Sequence, residues 1–297
     1  MLNLKVWFLE TRPQFLLLSV VLAFLGAAIA WYYGAFNLGY ALLAGFGLLL
    51  AHTSVNVLND YFDYRSGLDL RTRRTPFSGG SGILPAAMLT PKQVFWLGLG
   101  SLLVAVLIGI FFVVMTNWAL LPLLLVAAFC VVLYTPLILK LDWPEWAPGL
   151  GLGVLPVLGA YFVQTGFYTW PALVAAVPSG FLVHNLLLLN EFPDAEADKT
   201  VGRRTMPITL GKAKASLVYS AVTMSVYVWI IAWVVAGVMP VFALIALLTL
   251  PFAIKAIQGA LKYDDPAKIM PALGSNVLVV LLTQLLLGIG YILAGIF

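Results

Sequence analysis

Apolar residues fall along this chain in nine runs of about 20, at roughly 14–33, 38–58, 92–115, 118–138, 147–165, 170–190, 215–236, 240–258 and 272–296, and polar residues gather in the gaps between them. At 1.5 Å per residue, a helix of about 20 residues crosses the ~30 Å hydrocarbon core of a bilayer. The pattern therefore predicts nine transmembrane helices. No gap is long enough for a soluble domain, so residues 1–297 read as a single all-α membrane domain. Composition agrees, since 62% hydrophobic and 9% charged residues lie far outside the range of a soluble protein.

Charge then orients the bundle. Lys5 and Arg12 precede the first run, and Arg65, Arg71, Arg73, Arg74 and Lys92 follow the second. Lys140 follows the fourth, Lys199, Arg203, Arg204, Lys212 and Lys214 the sixth, and Lys255, Lys262 and Lys268 the eighth. The intervening gaps, around 34–37, 116–117, 166–169 and 237–239, carry no charge. Basic loops stay cytoplasmic, so the N-terminus and these gaps are expected inside, and an odd number of spans puts the C-terminus outside. The net charge of +4 follows from this topology, and with no aromatic-interleaved basic groove nucleic acid is not an expected partner. Arg71, Arg73 and Arg74 read as topology determinants in contact with membrane lipids. The first run ends in Ala28-Ile29-Ala30 like a signal peptide but continues through Trp31, Tyr32 and Tyr33 as an interfacial belt does, so a retained span is expected. Cys130, alone in the fourth run, has a packing role.

Seven of the 12 acidic residues sit in just two of the basic gaps. If the second helix continues to Asp63, then His52, Asn56, Asn59, Asp60 and Asp63 share one polar stripe, which must face a cavity because lipid would not tolerate it. In the second segment Asn190, Asp194 and Asp198 repeat every four residues, although Pro193 threatens the helix there. Both segments end on the same membrane face, so they can converge on one cavity mouth. Pooled, Asp60, Asp63, Asp194 and Asp198 with amide oxygens from Asn56, Asn59 and Asn190 form an all-oxygen donor set. Such a set suits Mg²⁺ shared with substrate phosphates, and a diphosphate is the economical inference. Arg65, Lys199, Arg203 and Arg204 stand near enough to neutralise its remaining charge. The alternative, that these are loop charges capping helix ends, does not account for two Asn/Asp clusters at helical spacing.

These residues resemble the UbiA superfamily of intramembrane prenyltransferases, which carry an NxxNDxxD motif after the second helix and an NxxxDxxxD motif after the sixth. Here the first is Asn56, Asn59, Asp60 and Asp63, and the second Asn190, Asp194 and Asp198. Within that superfamily the chain looks most like the naphthoate-prenylating branch of menaquinone synthesis, on Asp60-Tyr61-Phe62-Asp63 with Gly67 and Asp69, on Gly202-Arg203-Arg204-Thr205, and on Gly159 to Gly166. It departs from that branch at Glu191 and Pro193, where Asn and Arg are common.

The resemblance implies nine helices in a UbiA-like bundle around one central cavity, and transfer of a polyprenyl group from polyprenyl diphosphate to an aromatic acceptor. The acceptor implied is 1,4-dihydroxy-2-naphthoate, with loss of CO₂. Mg²⁺ on Asp60, Asp63, Asp194 and Asp198 would stabilise the leaving diphosphate while a dry, apolar chamber protects an allylic cation. Asp69, Lys140 and Glu191 are further candidate substrate contacts, Glu145 aligns with a family acid that would contact the acceptor, and Tyr134 resembles a family stretch but reads equally as part of the interfacial aromatic belt. Arg12 reads equally as an acid-binding group or an anchor, while His52 and His184 read as packed core histidines. The Ser78-Gly79-Gly80-Ser81-Gly82 turn would cover the site or bind phosphate through its amides. Another acceptor, prenyl cyclisation, or a cation or proton-coupled transporter remain as rival readings. The transporter predicts polar residues reaching the opposite face, and that face is free of charge.

Overall fold

Side chains that satisfy orphan backbone N–H groups set where the long helices begin. Asn37, Thr90 and Thr169 each accept from the backbone N–H three residues on, and Thr90 forms a reciprocal box with Gln93. The computed structural model describes residues 3–72, 74–75, 77 and 79–297, and these form helices and turns with no strand. Arg73 and Ser78 lie outside the described residues.

In chain order the α-helices are α1 (Leu4–Glu10), α2 (Pro13–Tyr32), α3 (Leu38–Ser66), α4 (Pro91–Met115), α5 (Leu121–Leu133), α6 (Trp146–Gly149), α7 (Leu155–Thr165), α8 (Trp170–Lys199), α9 (Met206–Thr209), α10 (Lys212–Val235), α11 (Leu250–Ala260) and α12 (Pro266–Ile296). Short 3₁₀ segments lead into α5 and α11, and a π turn, Leu150–Val154, joins α6 to α7.

Among the described residues, eight continuous helical stretches are long and apolar enough to cross a membrane. The ninth predicted span, 118–138, is instead the shorter apolar helix Trp118–Leu133. Its 16 residues reach about 24 Å at 1.5 Å per residue, and the turns after it complete the crossing, from Ala119 beside Tyr168 at one end of the bundle to Thr135 beside Asn59 at the other. Beyond it Tyr134-Thr135-Pro136 breaks the helix into turns, because a proline there cannot continue the hydrogen-bond ladder.

The two helices that matter most run past the ends of their apolar runs. α3 stops only at Ser66, where Gly67 takes the left-handed conformation at φ 78°. α8 continues through both Pro178 and Pro193 to Lys199. Burial of Phe192 and Ala195 on either side holds the backbone helical despite the hydrogen bond that Pro193 removes.

Close packing fixes α8 against the π turn. A Cβ on Gly153 would stand 2.7 Å from Gly180 Cα, a contact only glycine permits. On its other side Asn185 donates to the Tyr219 carbonyl and the Thr223 hydroxyl, both at 2.8 Å, and Tyr219 donates to Asn276 at 3.0 Å. In lipid such bonds have few competitors, so they tie α8 to α10 and α12.

Candidate active site

One elongated cavity of about 350 Å³ runs between α2, α3, α4, α5, α7 and α8. Its inner walls are small or apolar, with Ala44, Gly47, Ala51, Gly109, Leu124 and Gly159 among them. Its polar end lies where α3 and α8 finish and α2 begins. Two helix C-termini and the carboxylates they carry make this end electronegative, a setting that favours cations.

On α3, His52, Asn56, Asn59 and Asp63 line the cavity as the stripe predicts. Asp60 belongs to the same run but sits about 70° around the helix from the stripe's centre, at 100° per residue. It is buried, and instead of facing the cavity it accepts from the Ser81 backbone N–H at 2.7 Å and pairs with Arg12 at 3.6 Å. Asn56 donates to the Thr11 carbonyl at 3.2 Å and Asn59 to the Thr135 hydroxyl at 3.0 Å. These two amides therefore tie the α1–α2 turn and the segment after α5 to the wall of the site. His52 hydrogen-bonds Ser19 at 2.8 Å, and His184 hydrogen-bonds Asn185 at 3.1 Å.

From α8, Asn190, Glu191, Asp194 and Asp198 all reach the cavity. Arg203, in the loop beyond, bridges the two halves of the site. One guanidinium nitrogen makes a short bond to Asp63 and the other donates to Asp198 at 2.9 Å. Burial works against the arginine's charge, but the two carboxylates outweigh it and hold its pKa above the usual value. Asp69, also on the wall, is pushed up to about 8 by burial and then by the charges of Asp60 and Asp63. Tyr134 completes the polar end.

Other expected contacts are not brought together. Arg65, Lys140 and Lys199 are exposed and do not line the cavity. Arg204 is exposed as well, paired with Asp142 at 2.6 Å on the surface. Glu145 is fully buried behind the wall, accepts from the Met206 N–H at 2.6 Å and lies against Glu191. Two residues count for more than their sequence positions suggested. Arg12, in a left-handed conformation at φ 55°, lines the cavity with its guanidinium over Phe15. Glu10 is buried beside it and is pushed up to about 8 by burial and by Asp60. A lone acid ending a short, mostly apolar helix was the signal for Glu10, and helical periodicity does not reveal what such a residue meets.

A divalent cation fits the chemistry of this end. Asn190 Oδ1 and Glu191 Oε2, both on the cavity wall, are buried without a hydrogen-bond partner, and both are hard oxygens. The described residues contain no preassembled group of three acidic or other metal-ligating side chains. Arg203 accounts for this, since it supplies the positive charge between Asp63 and Asp198.

Comparison with known proteins gives the architecture its context. The model of the UbiA prenyltransferase family matches residues 19–292. The chain is 28% identical to the 1,4-dihydroxy-2-naphthoate octaprenyltransferase of Bacillus subtilis over 96% of this chain and 91% of that protein. Its fold is similar to the apo structure of a UbiA homolog from Aeropyrum pernix K1, with a TM-score of 0.72 at 18% identity over 94% of this chain and 98% of that one. A UbiA homolog from Archaeoglobus fulgidus bound to DMAPP and Mg²⁺ aligns with a TM-score of 0.60 at 14% identity over 95% and 98% of the two chains. With eight helical stretches among the described residues long and apolar enough to cross a membrane, two Asp-rich helix ends at one cavity and a family match across most of its length, the chain is an integral membrane enzyme that belongs to the UbiA prenyltransferase family.

Proposed function

We propose that the protein transfers a polyprenyl group from polyprenyl diphosphate to 1,4-dihydroxy-2-naphthoate, with decarboxylation, as a step of menaquinone synthesis. The observation that carries this reading is the convergence of Asp63 from α3 with Asp194 and Asp198 from α8 at the polar mouth of an otherwise apolar cavity. The naphthoate acceptor is supported by the name and near full-length coverage of the Bacillus subtilis relative.

Asp63, Asp194 and Asp198, with Asp60 at the edge, would hold Mg²⁺. When bound, that ion supplies the charge compensation a diphosphate needs to leave from a low-dielectric site. Arg203 and Arg12 bring two further positive charges to the same mouth, and an entering diphosphate competes with Asp63, Asp198 and Asp60 for them. The small and apolar inner wall accommodates the prenyl tail and excludes water from an allylic cation. Tyr134, Asn190 and Glu191 stand between the Asp-rich mouth and the apolar wall, where an aromatic acceptor would be oriented. The basic gaps and the site share one end of the bundle, so the chemistry faces the cytoplasm.

The test is direct. Purified protein with Mg²⁺, a panel of prenyl diphosphates and a panel of aromatic acceptors is followed by mass spectrometry. The prenylated, decarboxylated naphthoate product is expected, and excess chelator should abolish it. Turnover unaffected by chelator overturns the metal-assisted mechanism, and transfer to 4-hydroxybenzoate in place of the naphthoate overturns the acceptor.

A further inference from the structure

α1 is a seven-residue helix whose Leu4, Phe8 and Leu9 are exposed, yet its last residue, Glu10, is completely buried. A carboxyl taken out of water is costly unless it is bonded, so its partner identifies its task. That partner is Ser81, whose hydroxyl donates to Glu10 Oε2 at 2.8 Å. The same hydroxyl accepts from the Ile83 N–H at 3.1 Å, and the Ser81 N–H donates to Asp60. Ser81 is thus held from three sides.

The surrounding segment is built to pass between carboxylates. Gly80 has φ +70°, and a Cβ there would stand 3.1 Å and 3.3 Å from the Asp69 oxygens and 3.4 Å from Asp60 Oδ1. Gly79 and Gly80 line the cavity mouth. Beyond Ser81, Ile83 and Leu84 are buried with Val57 of α3 and Val94 of α4, and Val6 and Trp7 of α1 pack on the same cluster. α1 and this segment therefore form one body, apolar on one side and joined on the other by the Glu10–Ser81 bond.

We propose that Glu10 is a positioning residue for the first Asp-rich motif: by holding the Ser81 hydroxyl it fixes the Gly79–Gly82 strap across the cavity mouth, where the Ser81 N–H sets the orientation of Asp60. The consequence for turnover rests on the prenyl-transfer reading of this site, whereas the strap is observable without catalysis. Glu10→Gln keeps an oxygen that accepts from Ser81, Glu10→Ala does not, and Ser81→Ala removes the same bond from the other end.

Hydrogen exchange of the segment 79–84 is measured by mass spectrometry in parent and variants, alongside kcat and KM for the prenyl diphosphate. Glu10→Ala and Ser81→Ala should each exchange faster there and raise KM by about tenfold, roughly the worth of one hydrogen bond, with kcat within about threefold of the parent. The double variant should be no worse than either single one, and Glu10→Gln should stay within about twofold of the parent. If Glu10→Ala does not fold, Ser81→Ala with Glu10→Gln carries the test. Parental exchange in Ser81→Ala, faster exchange with an unchanged KM, or a Glu10→Gln as impaired as the alanine variant overturns the proposal. A parent that exchanges slowly at 79–84 but transfers no prenyl group to any acceptor sinks the prenyl-transfer reading and leaves the strap standing.

Discussion

Arg203→Ala removes the cation that joins the end of α3 to the end of α8. Its side chain is only 14% exposed and contacts Asp63 and Asp198, whose side chains are 11% and 4% exposed. Charges about 4 Å apart attract by about 4 kcal/mol at an effective dielectric constant of 20, so the two pairs gain about 8 kcal/mol before the desolvation of three buried charges is set against them. Deleting the arginine leaves two buried carboxylates facing one another, and they respond by binding a proton. That response holds the net loss near the ~3–5 kcal/mol typical of a broken buried pair. Cys130 is the chain's single cysteine and is buried, so a thiol-reactive dye reports unfolding in detergent without a label. The variant's melting midpoint should fall below the parent's. Mg²⁺ should then raise it by more than it raises the parent's, because a divalent cation can take the place the guanidinium held. At 100 times its dissociation constant a ligand adds about 2.7 kcal/mol, enough to recover most of the loss. Arg203→Lys keeps the charge but loses the two-pronged geometry and should fall between. A variant that melts with the parent, or gains no more from Mg²⁺ than the parent does, would refute the bridge as the element joining the two motifs.

Three further outcomes are expected. Arg204→Ala should leave stability within about 0.5 kcal/mol and turnover within about twofold, because its partner Asp142 is on the surface and exposed pairs contribute little; a tenfold loss would show that Arg204 reaches substrate after all. Glu10 and Asp69, each raised to about 8 from 4.5 and 3.8, keep their protons in the folded protein after the unfolded chain has lost them. Their contribution is therefore complete below about pH 4 and is lost as pH rises toward 8, so metal-free protein should melt progressively lower from pH 5 to 8, with a shallower slope in Glu10→Gln; a flat or rising profile contradicts the burial argument. Single-cysteine variants on a Cys130→Ala background should label from the cytoplasmic side at the exposed Lys199 and from the opposite side at Asn37 and Thr169; Lys199 labelled from the same side as Asn37 would refute the assigned topology.

Sequence by itself determined the class, the order of the apolar segments and much of the cavity's polar wall. Hydropathy is a one-dimensional signal, and helical spacing fixes the angle between residues on one helix. That is why Asn56, Asn59 and Asp63, and likewise Asn190, Asp194 and Asp198, were legible as two stripes before any neighbour was known. Where a helix gives way is harder to read: Leu137 and Ile138 continue an apolar run, yet the chain turns at Pro136 and the fourth segment finishes its crossing in turns rather than as helix. Sequence was least informative about what meets what across helices. Asp60 differs from Asn59 by one position and by 100° of rotation, and only the tertiary arrangement decides that one side of α3 faces a cavity and the adjacent side faces Ser81 and Arg12. The exposed positions of Arg65, Lys140 and Lys199, and the pairing of Arg204 with Asp142, depend on loop directions that charge counts do not encode. The same holds for Glu10. A carboxylate at the end of a surface helix is ordinary in sequence, and it becomes a buried contact only because the strap after α3 folds back over the helix that carries it.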